Sequence, residues 1–325
     1  MKLIVQPDTG LAPTLRAIKK AKRSLDVLIF RLDRKDIIEA LTKAVTRGVD
    51  VRVLTANTNK GGEKRLRELE LQLLDGGVTV SRTADDLVRY HGKMLIVDGR
   101  ILHVYGYNYT RLDVEKSRSF GIITRNRRLV REAIKLFEDD FNRRSYTPTC
   151  ERFIVSPENS RERLAAFIRS ARKQLLIYDP RVSHPAIIRV LVERARAGVD
   201  VRIIGKLGSK KYKDDLHVEK YPGKRLHVRA IIRDGRRAFV GSQSLRRLEL
   251  EKRREIGVIA HDRRVVRQMQ RIFEEDWAET DTAKKQAKKA EKKAEKRDRN
   301  GNRNKNGNKN GSKNGREERP LAAAS

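Results

Sequence analysis

The chain has 325 residues, of which 38% are hydrophobic and 37% charged, and it carries a formal net charge of +33. That length accommodates one large or two medium domains, and no apolar run approaches the ~18 residues of a membrane span. A single cysteine, Cys150, excludes a disulfide framework, and the excess of positive charge points to polyanionic partners such as nucleic acid or anionic lipid headgroups.

The first eight residues hold an apolar run too short for a secretory signal, so a cytoplasmic chain is expected, with any membrane contact peripheral and electrostatic. A basic amphipathic stretch then leads to an apolar strand at residues 25–30. Apolar residues at helical spacing follow (Ile37, Ile38, Leu41, Ala44), then Gly48 as a helix stop, then the strand-like Val49-Asp50-Val51-Arg52. Gly61-Gly62 reads as a loop into a basic helix. The same series returns later: an apolar strand at 175–178, a helix through Ile187, Ile188 and Leu191, Gly198, and Val199-Asp200-Val201-Arg202. Helix and strand alternation, repeated once, predicts two related α/β halves with mixed sheets flanked by helices. The halves are placed at residues 1–145 and 146–280, each closing on a helix (129–141 and 265–277). Residues 281–325 form a basic tail, in which an Ala/Glu/Lys stretch at 284–299 is a candidate solvated helix and an Asn/Gly/Lys stretch at 300–314 has no apolar content to order it.

The segment Tyr90-His91-Gly92-Lys93-Met94-Leu95-Ile96-Val97-Asp98-Gly99 reads as a strand entering an Asp-Gly turn. On a strand His91 and Lys93 share a face. An imidazole beside an ammonium suits attack on a phosphodiester, the nitrogen acting as nucleophile or proton donor and the cation holding a non-bridging oxygen. Leu226-His227-Val228-Arg229-Ala230-Ile231-Ile232-Arg233-Asp234-Gly235 repeats the design with Arg for Lys. Two histidines from two halves can share one site, one attacking phosphorus and the other protonating the leaving oxygen. This chemistry calls for no metal or other cofactor.

The spacing His-x-Lys-x4-Asp, intact once and altered once, resembles the phospholipase D superfamily over most of residues 20–275. The resemblance implies a catalytic set of His91, Lys93, Asp98, His227, Arg229 and Asp234, with the two aspartates as supporting carboxylates. It implies phosphate-binding roles for Asn108, Ser242 and Ser244 in the segments Tyr105-Gly106-Tyr107-Asn108 and Gly241-Ser242-Gln243-Ser244, and groups with them the acidic Glu255 ahead of Ile256-Gly257. Three positions depart from the pattern: Arg229 stands for Lys, Ser244 for Asn, and Ser119 for the acid in the first half. Arg keeps the charge but is planar and bulkier, so the second half is expected to bind better than it reacts, and His91 to be the nucleophile.

The remaining candidates have structural readings. His103, His184, His217 and His261 lack partners that would lift them to a site, and Cys150 reads as an inert thiol. Tyr105, Tyr107 and Tyr109 either pack on one face or line a groove. The expected function is a phospholipase D-type phosphodiesterase or phosphatidyltransferase acting on glycerophospholipids through a phosphohistidine. A nuclease of the same superfamily and a non-catalytic polyanion-binding protein are the alternatives. One chain suffices for a complete site.

Overall fold

The computed structural model describes residues 1–58, 62–212, 214–223, 225–285, 287 and 288. Gly61 and nearly all of the basic tail, including 300–314, lie outside the described residues. The first half runs β1 (Lys2–Gln6), α1 (Ala12–Lys20), β2 (Ser24–Ile29), α2 (Lys35–Val45), β3 (Asp50–Thr55), α3 (Glu63–Asp75), β4 (Thr79–Arg82), β5 (Arg89–Tyr90), β6 (Met94–Val97), β7 (Ile101–Tyr105), α4 (Arg111–Glu115), β8 (Ser119–Thr124) and α5 (Arg127–Phe141). The second runs β9 (Phe153–Ser156), α6 (Ser160–Arg169), β10 (Gln174–Val182), α7 (Pro185–Arg196), β11 (Asp200–Leu207), β12 (His217–Glu219), β13 (Ala230–Arg233), β14 (Arg237–Gly241), α8 (Arg247–Glu251), β15 (Arg253–Ala260) and α9 (Arg263–Ala278).

The repeat read from the sequence is a repeat of topology. The first sheet has the order β4-β3-β2-β6-β7-β8-β1, and the second β12-β11-β10-β13-β14-β15, with β9 beside β15. In both, the first three strands are parallel and the rest antiparallel. Both parallel units end their helix as predicted. Gly48 and Gly198 take positive φ (79° and 84°), and the next amide, of Val49 or Val199, donates back to Ala44 or Arg194.

Burial places the halves around a shared interior. The inner face of each sheet (Leu28, Met94, Ile96, Val104; Leu176, Ala230, Val240, Val258) joins one apolar cluster with α5 and α9 through Leu129, Leu136, Phe137, Val265, Met269 and Phe273. The outer faces pack on α1 and α2 in one half and on α6 and α7 in the other. Residues 142–152, where periodicity breaks, join the halves, and Tyr146 there is buried, its hydroxyl donating 2.6 Å to Glu132. Among the described residues no helix is long and apolar enough to cross a membrane.

Candidate active site

The two motif segments are not continuous strands. β5 pairs in parallel with β15 of the second sheet (Tyr90 opposite Arg254), and β6 belongs to the first sheet. His91, Gly92 and Lys93 therefore form the crossing from one sheet to the other. The second half mirrors this: Leu226 bridges in parallel to Arg118, just ahead of β8, and 227–229 cross back to β13. The His91 amide donates 2.7 Å to the Arg254 carbonyl, and the His227 amide 2.9 Å to that of Arg118. Each histidine is thus anchored on the other half, and the site forms where the sheets exchange chain.

In the first half-site the His91 Nδ1 lies 2.9 and 3.0 Å from the Glu255 carboxylate oxygens, and its ring packs edge-on to Phe30 at 4.6 Å. The Lys93 ammonium donates 2.6 Å to the His91 carbonyl and stands 3.2 Å from Nε2. Lys93 and Glu255 are completely enclosed. Burial disfavours both charges, pushing the Lys93 ammonium down to about 7 and the Glu255 carboxyl up to about 7. Burial, then the field of Lys93, Arg229 and Arg253, holds His91 well below its ordinary value, so its imidazole is neutral. With Nδ1–H donating to an ionised Glu255, Nε2 keeps its lone pair.

The second half-site is looser. Arg229 donates 3.0 Å to the His227 carbonyl, the counterpart of the Lys93 contact. The acid missing at Ser119 is supplied from elsewhere: the Asp113 carboxylate, on α4, lies 3.8 Å from His227 Nδ1. Asp113 also accepts 2.9 Å bonds from the Asn108 amide and side chain and 2.7 Å from Arg225. Burial first, then Arg229, lowers His227 well below its ordinary value, and Asp113 opposes this. Arg229 acts on His91 and Lys93 on His227 across the halves, which brings both half-sites within electrostatic reach.

The other predicted residues divide. Asn108 is buried against Asp113, and its Oδ1 has no hydrogen-bond partner among the described residues. The Ser242 hydroxyl accepts from the Ile256 amide at 3.1 Å, and the Ser244 hydroxyl donates to the buried Asp179. Glu255, grouped with the phosphate-binding residues, instead orients His91; a carboxylate would repel a phosphate. Asp98 and Asp234 also require correction as catalytic groups. Each sits at the far end of its strand, about 16 Å from Lys93 or Arg229 at ~3.3 Å per residue. Asp98 accepts the amides of Lys22, Arg23 and Ser24, and Asp234 those of Arg172, Lys173 and Gln174. Both take φ 53° in the turn, with glycine next at 61°. These aspartates fasten the hairpin to the preceding helix and strand.

Tyr105, Tyr107 and Tyr109 are fully buried and packed edge-on at 5.2–5.3 Å, so they are core and do not line a groove. His103 is buried and bonded to the Tyr105 hydroxyl at 2.8 Å, and burial lowers it to about 4. His184 sits 3.0 Å from Glu251. Asp113 and Asp179 were missed in sequence. The spacing Thr110-x-x-Asp113 carried a signal for the first: the Thr110 hydroxyl caps α4 by accepting from the Asp113 amide.

Two matching half-sites of histidine and cation stand at the junction of two sheets of like topology. The chain belongs to the phospholipase D-like family. The family model described as "Cardiolipin synthase, PLD-like domain" matches residues 14–142 and 164–277. The chain is 24% identical to cardiolipin synthase 1 of Bacillus cereus over 87% of its own length and 67% of that protein. It is 30% identical to human mitochondrial cardiolipin hydrolase over 43% of its length, and spans little more than half (55%) of that relative. In fold it resembles polyphosphate kinase from Porphyromonas gingivalis, with a TM-score of 0.70 at 18% identity over 84% of this chain and 49% of that one.

Proposed function

We propose that the chain transfers the phosphatidyl group of a glycerophospholipid to water or an alcohol through a phosphohistidine on His91. The His91 Nδ1 held 2.9 Å from Glu255, with the Lys93 ammonium 3.2 Å from Nε2, is the observation that carries this reading, because it makes Nε2 the nitrogen that faces a cation-held phosphate. Formation of the N–P bond breaks the P–O bond to the leaving alcohol, whose oxygen takes a proton from His227. Neutral His227 then removes the proton of water or the acceptor alcohol as its oxygen attacks phosphorus. The N–P bond breaks and His91 is regenerated. Lys93 and Arg229 would flank the non-bridging oxygens, and the entering phosphate would offset the cationic field that, after burial, keeps His227 deprotonated, so that His227 takes up a proton from solvent before it protonates the leaving oxygen. Asp113 favours the imidazolium. The lipid substrate class rests on the cardiolipin synthase and cardiolipin hydrolase relatives.

The test is headgroup release, or transfer to glycerol, from phosphatidylglycerol and cardiolipin vesicles in EDTA, comparing the protein with His91→Ala. Turnover should fall by several orders of magnitude, and wild-type protein quenched in detergent at alkaline pH, where a histidine N–P bond survives, should carry the lipid phosphorus on His91. Undiminished turnover by His91→Ala would refute the mechanism. Cleavage of DNA but not of lipid would replace the substrate class and keep the mechanism.

A further inference from the structure

The face at the opposite end of the sheets has no part in the chemistry above. Lys93, Ser119, Gly241 and Glu255 mark the catalytic ends of β6, β8, β14 and β15. The other ends of these strands lead to Asp98, Arg125, Arg237 and His261. Glu255 and His261 lie six residues apart along β15, about 20 Å at strand rise. Three adjoining clefts of about 690, 610 and 320 Å³ open on this far face and draw residues from both halves. Their cationic lining includes Arg125, Arg127, Arg128, Arg131, Arg152 and Arg237.

These guanidiniums are uncommitted. Among the described residues none of the six makes an ion pair or side-chain hydrogen bond. The carboxylates in the same clefts are engaged elsewhere: Glu132 with Tyr146 and Thr149, Glu151 with Arg163, and Asp262 with the amino group of Met1. Burial first, then the charges of Arg237 and Arg152 in the same cleft, depress the His261 imidazole below its ordinary value.

Folding alone would not choose this arrangement. α5 and α9 both start here, with Arg127-Arg128 and Arg263-Arg264 in their first turns, the neutral Asn126 capping α5 and Asp262 capping α9 through the Arg264 and Val265 amides. A helix N-terminus carries partial positive charge, so arginine there costs stability where Asp or Glu would add it. Local choices that oppose stability mark functional surface.

We propose that this far face is a second anion-binding surface, separate from the active site, that takes the phosphodiester backbone of a nucleic acid. Guanidinium forks suit phosphate oxygens. A bilayer is the poorer occupant on two counts. None of the exposed large apolar side chains (Leu71, Leu74, Val88, Leu112 and Leu248) lines these clefts. A membrane held here would also turn the catalytic end of the sheets away from the lipid.

The test uses the full chain with Arg128→Gln, Arg131→Gln, Arg152→Gln and Arg237→Gln combined. The control, Arg65→Gln, Arg67→Gln, Arg169→Gln and Arg189→Gln, removes the same charge from exposed positions elsewhere. Binding of a 20-base-pair DNA duplex is followed by fluorescence anisotropy across a salt series, beside co-sedimentation with phosphatidylglycerol vesicles and turnover of a soluble phosphodiester. The far-face variant should lose about 3.6 from the magnitude of the slope of log K against log salt, at ~0.9 for each of the four phosphate contacts, and at least tenfold in affinity near 0.1 M salt. It should keep its turnover and vesicle binding, and the control should keep its duplex affinity within about threefold. An unchanged slope, an equal loss in the control, or a loss of vesicle binding in place of duplex binding would overturn the proposal.

Discussion

Replacing Glu255 by Gln should make the protein more stable and less active at the same time, with both effects confined to pH values where Glu255 is ionised. Glu255 is fully enclosed, and its carboxyl is pushed up to about 7 from the ordinary 4.5, burial being the first cause and Lys93 and the arginines opposing it. Below pH 4.5 the acid is protonated in both folded and unfolded chains and is nearly isosteric with Gln, so the two proteins should melt together. As pH rises from 4.5 to 7 the unfolded chain loses this proton first. The folded state then binds more protons than the unfolded one, and the wild type loses stability. Above pH 7 the loss levels off at about 3 kcal/mol, from ~1.4 kcal/mol per pKa unit. For a folded region of this size that is about 5–10 °C in Tm. Scanning calorimetry at pH 4.5 and pH 8 reads the difference. Turnover at pH 8 should fall by about 10²–10⁴, the range for losing the carboxylate that orients a catalytic imidazole. A Tm difference independent of pH, or a variant less stable at pH 8 than at pH 4.5 relative to wild type, would refute the assignment of Glu255 as a desolvated carboxylate.

His227→Ala should cut turnover of a lipid about 10²–10⁴-fold but spare the first step with a p-nitrophenyl phosphodiester, whose leaving group needs no proton; a stoichiometric burst of nitrophenolate followed by slow turnover checks this. Asp113→Asn removes the anion 3.8 Å from His227 Nδ1. It destabilises the imidazolium, so the alkaline limb of kcat should move to lower pH, read from a pH–rate profile. Asp234→Ala strips the acceptor for three backbone amides and leaves a non-glycine residue at φ 53°. It should cost about 2–4 kcal/mol in a urea titration yet leave kcat of the folded protein within a few-fold.

What the sequence revealed follows from the range of the forces involved. The helices ending at Gly48 and Gly198 and the Asp-Gly turns at 98–99 and 234–235 are set by residues a few positions apart, and the structure has them where periodicity and turn chemistry put them. The site is assembled from pairings far apart in sequence. His91 meets Glu255 only because β5 is laid on β15, and no local pattern in Tyr90-His91-Gly92 announces that the chain changes sheets there. The aspartates of the motifs were grouped with the histidines because the resemblance carries the three residues together, whereas strand alternation alone puts Asp98 and Asp234 at odd spacing from Lys93 and Arg229, on the other face and five residues along. Tyr105, Tyr107 and Tyr109 alternate as a groove lining would, and only the packing of α1 and α2 over them decides for core.

The two half-sites are unequal in a way that bears on the order of events. His91 is held by a dedicated, enclosed carboxylate at 2.9 Å, and its cation is a lysine that burial brings down to about 7. His227 has its carboxylate at 3.8 Å, shared with Asn108 and Arg225, and an arginine that stays charged. A nucleophile gains from a fixed tautomer and a constant position, because its attack geometry must be met in one place. An acid that later becomes a base must change protonation twice, and a carboxylate shared with Asn108 and Arg225, as Asp113 is, holds it less firmly in either state. On the proposed mechanism the tight pair therefore belongs on the attacking histidine and the loose one on the proton carrier. The substitutions in the second motif, which on the sequence look like decay, fit a division of labour between two copies of one ancestral half.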